Sequence, residues 1–308
     1  MSELNKKACL VGQANTGFGD CVLTMAHVVG AFIVPANKSF SPTDLVDFKA
    51  TLQEAAFAAN KNNRIFPIHN FEQLADNSED KNVQTLTYGG KYPLTEGDYD
   101  WAFQYIQGGH CLHTSLRKFN GLGRSVLFYD AKGIIYGWKD GEALKGIPLV
   151  YFFANKFTLS DGSAATAYTA QFVLKPKYMN DSLGFVEPDF DPATVSGLQD
   201  VVLTAGATAA PDDPVMKAVV GCGGSDMSEL YETELAVPGA WKVTHNGQVV
   251  SLLSVVYTPA VKGWTLSVDP ADPNYSATAA TVVSLEDPLA LELLGVVGFA
   301  SNSVSIAV

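Results

Sequence analysis

The chain is poor in the residue types that most often carry chemistry. It has four cysteines and five histidines in 308 residues. The cysteines, Cys9, Cys21, Cys111 and Cys222, lack the paired spacing of zinc sites and redox motifs. That excludes a cysteine-rich metal module and predicts free thiols of a reducing cytoplasm rather than a disulfide framework. No run of about 18 uncharged apolar residues occurs, so no membrane-spanning helix is expected. Val28 to Pro35 is the most apolar early stretch, and it is too short to span. The opening MSELNKKACL has two lysines but only a short apolar tail, and it does not resemble a secretory signal.

Basic residues are scarce in one part of the chain only. Residues 187–308 hold 15 acidic and 3 basic side chains, whereas residues 1–186 hold 17 of each. The formal charge of −12 therefore belongs to the second part. A nucleic-acid clamp needs Lys or Arg to neutralise phosphates, so this surface argues against one. The change in composition falls near Glu187-Pro188-Asp189-Phe190-Asp191-Pro192, where two prolines and three acids cannot continue a helix or a central strand. A domain of residues 1–186 followed by an acidic one of residues 187–308 is expected, in line with the usual size of domains.

Catalytic motifs are also missing. VGQANTGFGD (11–20) has the Gly12-x-x-x-x-Gly17 spacing that opens a phosphate-binding loop, but Phe18 and Gly19 stand where that loop needs Lys and Ser or Thr. The dinucleotide fingerprint fails as well, because no third glycine follows Gly17 and Gly19. A turn between two apolar segments accounts for the glycines. No G-x-S-x-G elbow exists. His110 and His113 flank Cys111 in GGHCLH, and on a helix both imidazoles share a face, but no third ligand is placed by spacing. Cys222 lies in GCGGSD with no basic neighbour to lower its pKa. Asp98/Asp100 and Asp212/Asp213 are paired acids, and Asp269-x-x-Asp272 is a sparse candidate for calcium. Acids clustered in loops more often form a solvated surface. The reading is of no catalytic residue, no cofactor and no metal.

What is present is β-structure. A helix is expected over about 42–60, with Ser41 as N-cap, Pro42 at N1 and an apolar face of Leu45, Phe48, Leu52, Ala55, Ala56 and Ala59. A second is expected at about 110–119 from Leu112, Leu116 and Phe119. Strands are expected at 83–88, 91–94, 99–106, 125–129, 133–138, 149–159 and 167–174, with Asp130-Ala131-Lys132-Gly133 as a hairpin turn. Between Leu74 and Val83, ADNSEDKN is polar and has no apolar anchor, so it reads as an exposed loop or the tip of a long hairpin. The second part reads as short strands at 201–205, 215–220, 241–244, 248–257 and 264–268, with a tight turn at His245-Asn246-Gly247. A short helix at 287–294 and a last strand at 303–308 complete an immunoglobulin-type sandwich without its disulfide, since Cys222 is the one cysteine there.

One block of segments carries a family resemblance. It runs from DNSEDKNVQTLTYGGKYPL (76–94) through YDWAFQYI (99–106), HCLHTSLRKFNG (110–121) and SVLFYDAKGIIYGWKDG (125–141) to LVYFFANKFTLSDGSAATAYTAQFVL (149–174). This order resembles the tail tube proteins of long-tailed bacteriophages, especially those of phages and prophages of Bacteroidetes bacteria. The resemblance implies a mainly β fold: a tail-tube-like sandwich or barrel with flanking helices, followed by an immunoglobulin-like sandwich. It implies a structural virion protein that self-assembles into stacked rings, usually sixfold, around a DNA-conducting channel. The second domain would be displayed outside the tube. Implied partners are further copies of the chain, other tail proteins, and DNA passing without specific binding. Assembly would occur in the bacterial cytoplasm. Asp76, Asn77, Ser78, Glu79, Asp80 and Lys81 are the expected contacts to the next ring. A capsid or head-decoration protein, a cell-surface carbohydrate-binding module, and a hydrolase using Cys111 or His110 are the competing readings.

Overall fold

The computed structural model describes residues 4, 25–36, 38–60, 62–80, 82–163, 166–206 and 210–307. The chain is mainly β and divides into two compact units, Met1–Ser196 and Gly197–Val308. The first unit keeps residues 187–196, because Val195 and Pro192 are buried in it. The composition break at 186/187 and the structural break at 196/197 therefore stand ten residues apart.

The first unit contains β1 (Val28–Pro35), β2 (Ser39–Phe40), α1 (Phe48–Phe57), β3 (Phe66–Ile68), β4 (Phe71–Asp76), β5 (Asn82–Thr85), β6 (Lys91–Thr95) and β7 (Tyr99–Tyr105). It continues with α2 (Gly109–Arg117), β8 (Arg124–Asp130), β9 (Ile135–Asp140), β10 (Ala143–Lys145), β11 (Ile147–Ala154), β12 (Tyr168–Leu174), α3 (Pro176–Asn180) and β13 (Leu183–Val186).

Hydrogen bonds join β1, β8, β11, β12, β7 and β4 in that order. Its start, β1, pairs with β3, and β3 runs into β4 through a corner at Asn70 with φ 58°. Asn tolerates this left-handed backbone. The β3–β4 run thus bridges the two ends of the series and closes a small barrel. Period-2 alternation sends Phe103, Phe128, Phe152 and Phe172 inward, all fully buried. Phe172 lies 5.1 to 5.9 Å, centroid to centroid, from the other three rings. Side chains fill such a narrow barrel completely.

A second wing leaves β8 through β9, which also pairs with β10 and β13. Beside it, Phe48 of α1 meets Phe40 of β2 edge-on at 5.2 Å. α1 begins later than the expected Pro42. The Asp44 carboxylate accepts from Ser41 N–H and Ser41 Oγ–H, which folds 41–47 into turns, and Asp47 caps the helix at Ala50 N. Leu45, Phe48, Leu52, Ala55 and Ala56 are buried, whereas Ala59 lies beyond the helix and is exposed. The β8–β9 turn rests on Asp130, a buried acid that accepts from Ala26 N, Lys132 N, Ile134 N and the Tyr136 hydroxyl at 2.9–3.2 Å.

The second unit contains β14 (Gln199–Ala205), β15 (Val215–Val220), α4 (Ser228–Tyr231), β16 (Trp241–His245), β17 (Gln248–Val250), β18 (Leu252–Thr258), β19 (Gly263–Val268), β20 (Thr281–Leu285), α5 (Pro288–Leu293), β21 (Phe299–Ser301) and β22 (Val304–Ile306). One sheet has the order β18-β19-β15-β14-β21 and the other β17-β16-β20-β22. One core joins their inward faces, with Trp241 and Trp264 5.8 Å apart at its centre. Trp241 Nε1–H donates to Leu235 O at 2.8 Å, which satisfies its only polar atom. The expected tight turn is there: Asn246 and Gly247 have φ 51° and 80°, and His245 pairs with Gln248. The expected 248–257 strand is two strands, parted at Ser251, whose N–H and Oγ–H both donate to Asp272.

Candidate functional site

β5 and β6 form a two-stranded sheet of their own, with Val83 opposite Pro93, Gln84 opposite Tyr92 and Thr85 opposite Lys91. Its turn is tied by Leu86 N–H to Gly90 O at 2.7 Å and Gly89 N–H to Leu86 O at 2.9 Å. Every side chain described from 83 to 92 is exposed. Tyr88 is as open as in an isolated peptide, at 102%, and Tyr92, Leu86 and Val83 stand at 60%, 51% and 41%. A lone hairpin without a core is marginal in water. Four apolar or aromatic residues on such an arm cost solubility and bring no stability within this chain.

The expected contact residues Asp76 to Asp80 lie at the base of this arm, and its tip is Leu86–Gly90. Asp76 ends β4. Asn77 N–H donates to Asp100 O at 2.8 Å and Glu79 N–H to Asp98 O at 3.3 Å, so 77–79 extends the β4–β7 ladder. Ser78 Oγ accepts from Asp100 N–H at 3.1 Å and hydrogen-bonds Asp76 Oδ1. Gly97 permits the approach, since a Cβ there would sit 1.9 Å from Glu79 O. Asp80 is exposed at the foot of the arm, and Lys81 lies outside the described residues. The stretch reads as an exposed loop or a tip because it lacks apolar anchors; the anchor is backbone pairing, which side-chain pattern does not reveal. Asp76, Glu79, Asp80, Glu96 and Asp98 border an open cavity of about 450 Å³. Among the described residues no three His, Cys, Asp or Glu side chains are grouped to hold a metal ion.

Two further surfaces adjoin the arm. Among the described residues β4 pairs with β7 on one edge and no strand pairs with its other edge, and residues 72–76 are exposed. An unpaired edge is a template for another strand. The outward face of β7, β12 and β11 bears Asp100, Gln104, Thr169, Gln171, Tyr151 and Phe153. Gln171 Nε2–H donates to both Asp100 oxygens at 2.8 Å, and Asn155 Nδ2–H donates to Gln171 Oε1 at 2.9 Å. The strand positions on this face include one carboxylate and no Lys or Arg.

The other candidates are accounted for locally. His113 is buried, with Nδ1 3.1 Å from the Tyr105 hydroxyl and its ring 5.1 Å from Tyr168. Burial, then the charges of Arg117 and His110, hold the His113 imidazole below its usual pKa, and burial pushes the Tyr105 phenol up. Cys111 and Cys222 each take part in a disulfide, which corrects the expectation of free thiols at these two positions and removes both as nucleophiles. Spacing along the chain cannot exclude a disulfide, because pairing depends on distance in the fold. The Asp272 carboxylate is taken up by Ser251 and by Asn274 N–H, bonds that lower its pKa, while Asp269 accepts from Ala271 N–H. Asp212 accepts from the Tyr275 hydroxyl and Asp213 from Ser267 Oγ–H. VGQANTGFGD lies outside the described residues. No described helix is long and apolar enough to cross a membrane.

The sequence reading missed the apolar tip and the open edge. The signal for the first was LTYGGKY, two aromatic residues around a Gly-Gly turn with no alternation to bury them. What the arm, edge and face offer is contact area and backbone hydrogen bonds. The chain matches no protein-family model, no curated protein and no solved structure.

Proposed function

We propose that this chain is a structural subunit that assembles with copies of itself into stacked rings, as the tail tube proteins it resembles do. The observation that carries the reading is the arm: Val83, Leu86, Tyr88 and Tyr92 are exposed on a hairpin with no core of its own. Burial of such a tip against a neighbouring ring would supply apolar contact that the monomer lacks. The open β4 edge supports lateral closure, because joining edges around a ring leaves none exposed. The cation-free face of β7, β12 and β11 supports a channel role, since a wall without Lys or Arg gives phosphate nothing to hold. In this reading the second unit is displayed outside the tube, where its negative charge keeps tubes apart.

Negative-stain electron microscopy of the purified full-length chain over a concentration series tests the proposal. Hollow rings or stacked tubes with projecting knobs are the expected result, and truncation after Ser196 should remove the knobs while keeping the tubes. Monomers at every concentration, with or without the arm, would overturn it and favour a decoration or glycan-binding role.

A further inference from the structure

His69 sits just before the Asn70 corner of the barrel, and both ring nitrogens are engaged. Its Nε2–H donates to Val195 O at 2.9 Å, so Nδ1 accepts from the Tyr129 hydroxyl at 2.6 Å. The Phe32 ring packs edge-on at 6.1 Å. Val195 is fully buried and belongs to the last segment of the first unit, which leads directly into the second. Pro192 of that segment is buried as well. Gln53 on α1 exchanges two hydrogen bonds with Ser196, at 3.0 and 3.1 Å, and Phe190 meets Phe48 at 6.4 Å.

We propose that His69 is a proton-operated latch: neutral, it fastens residues 190–196 to the first unit; protonated, it lets that segment come free and lengthens the tether of the second unit. The neutral ring fits its two partners with one donor and one acceptor. The imidazolium has two donors. Tyr129 O–H would then have to turn and accept, leaving its hydrogen unpaired. The phenol lies close over Gly30, where a Cβ would sit 2.2 Å from its oxygen, so the Gly30 backbone blocks a shift on that side. A buried hydroxyl without an acceptor is costly.

The charged side chain that acts on His69 is Asp191, from the latched segment itself; β1 presents Phe32, β8 presents Tyr129, and α1 presents the neutral Gln53 to the segment. Asp191 and the Val195 bond favour the charged ring, but burial outweighs both and holds the imidazole below its usual value. The sign follows: the latch is intact above the unfolded histidine pKa and is lost as pH falls through the lower folded one.

The test is subtilisin cleavage between the units of the full chain from about pH 8 to about pH 5, corrected at each pH with an unstructured peptide. The wild type should show cleavage rising on acidification by up to about tenfold per pH unit. His69→Gln should flatten that slope, whereas Gln53→Ala should raise cleavage equally at every pH. The imidazole resonance of His69 in the wild type gives a second reading that needs no variant, and its midpoint should coincide with that of cleavage. Cleavage independent of pH in the wild type, an unchanged slope in His69→Gln, or a His69 midpoint above about 6.5 would overturn the latch.

Discussion

Two hairpins of the first unit were built from similar sequence and met opposite fates. β8–β9 carries Leu127, Phe128, Ile135 and Tyr136, all fully buried, around a turn whose Asp130 is hydrogen-bonded on both oxygens. β5–β6 carries Val83, Leu86, Tyr88 and Tyr92 in full or partial exposure around a Gly-Gly turn. Strand propensity is the same in kind. The difference is that β8 has neighbours on both edges, β1 on one and β9 with β11 on the other, whereas among the described residues β5 and β6 pair with each other alone. One hairpin buries its apolar surface within this chain, and the other leaves it exposed.

The contrast can be broken from the buried side first. Phe172→Ala removes the ring against which Phe103, Phe128 and Phe152 pack, and should destabilise the first unit by about 3–5 kcal/mol in urea unfolding. Asp130→Asn turns one acceptor oxygen into an amide that faces donors, and should cost about 2 kcal/mol by the same measurement. A smaller loss should follow acidification. His69 and His113 both have lowered folded values, so stability present above pH 6.5 declines below it. The slope should reach at most about 1.4 kcal/mol per pH unit for each histidine, read from urea midpoints of the first unit's transition at stepped pH. Smallest of all should be the arm: Leu86→Ser with Tyr88→Ser should change monomer stability by less than about 0.5 kcal/mol.

The same contrast explains what was legible in the sequence. Strands that bury one face, such as β7 and β12, show alternation and were found with ends within one or two residues. β1 was not, because VVGAFIVP is buried on both faces and reads as a plain apolar run. β4 failed for the opposite reason: FEQLAD is exposed after Phe71, and its place is fixed by pairing with β7 rather than by burial. α1 was shortened by Asp44 folding back on Ser41, a local hydrogen bond that competes with the helix. The polar stretch after Leu74 reads as an exposed loop or a hairpin tip, and it is exposed at the foot of the arm, since composition separates wet from dry residues but not a stem from an end. The latch at His69 joins residues more than a hundred positions apart and left no local signal.

The proposed role of the arm's exposed apolar residues is contact with another copy of the chain. Sedimentation velocity of the wild type beside the Leu86→Ser, Tyr88→Ser, Tyr92→Ser triple variant, at matched concentrations, tests it most directly. Large assemblies are expected for the wild type and a folded monomer or single ring for the variant, with unchanged circular dichroism. Equal assembly by both, or monomers from both, would contradict it.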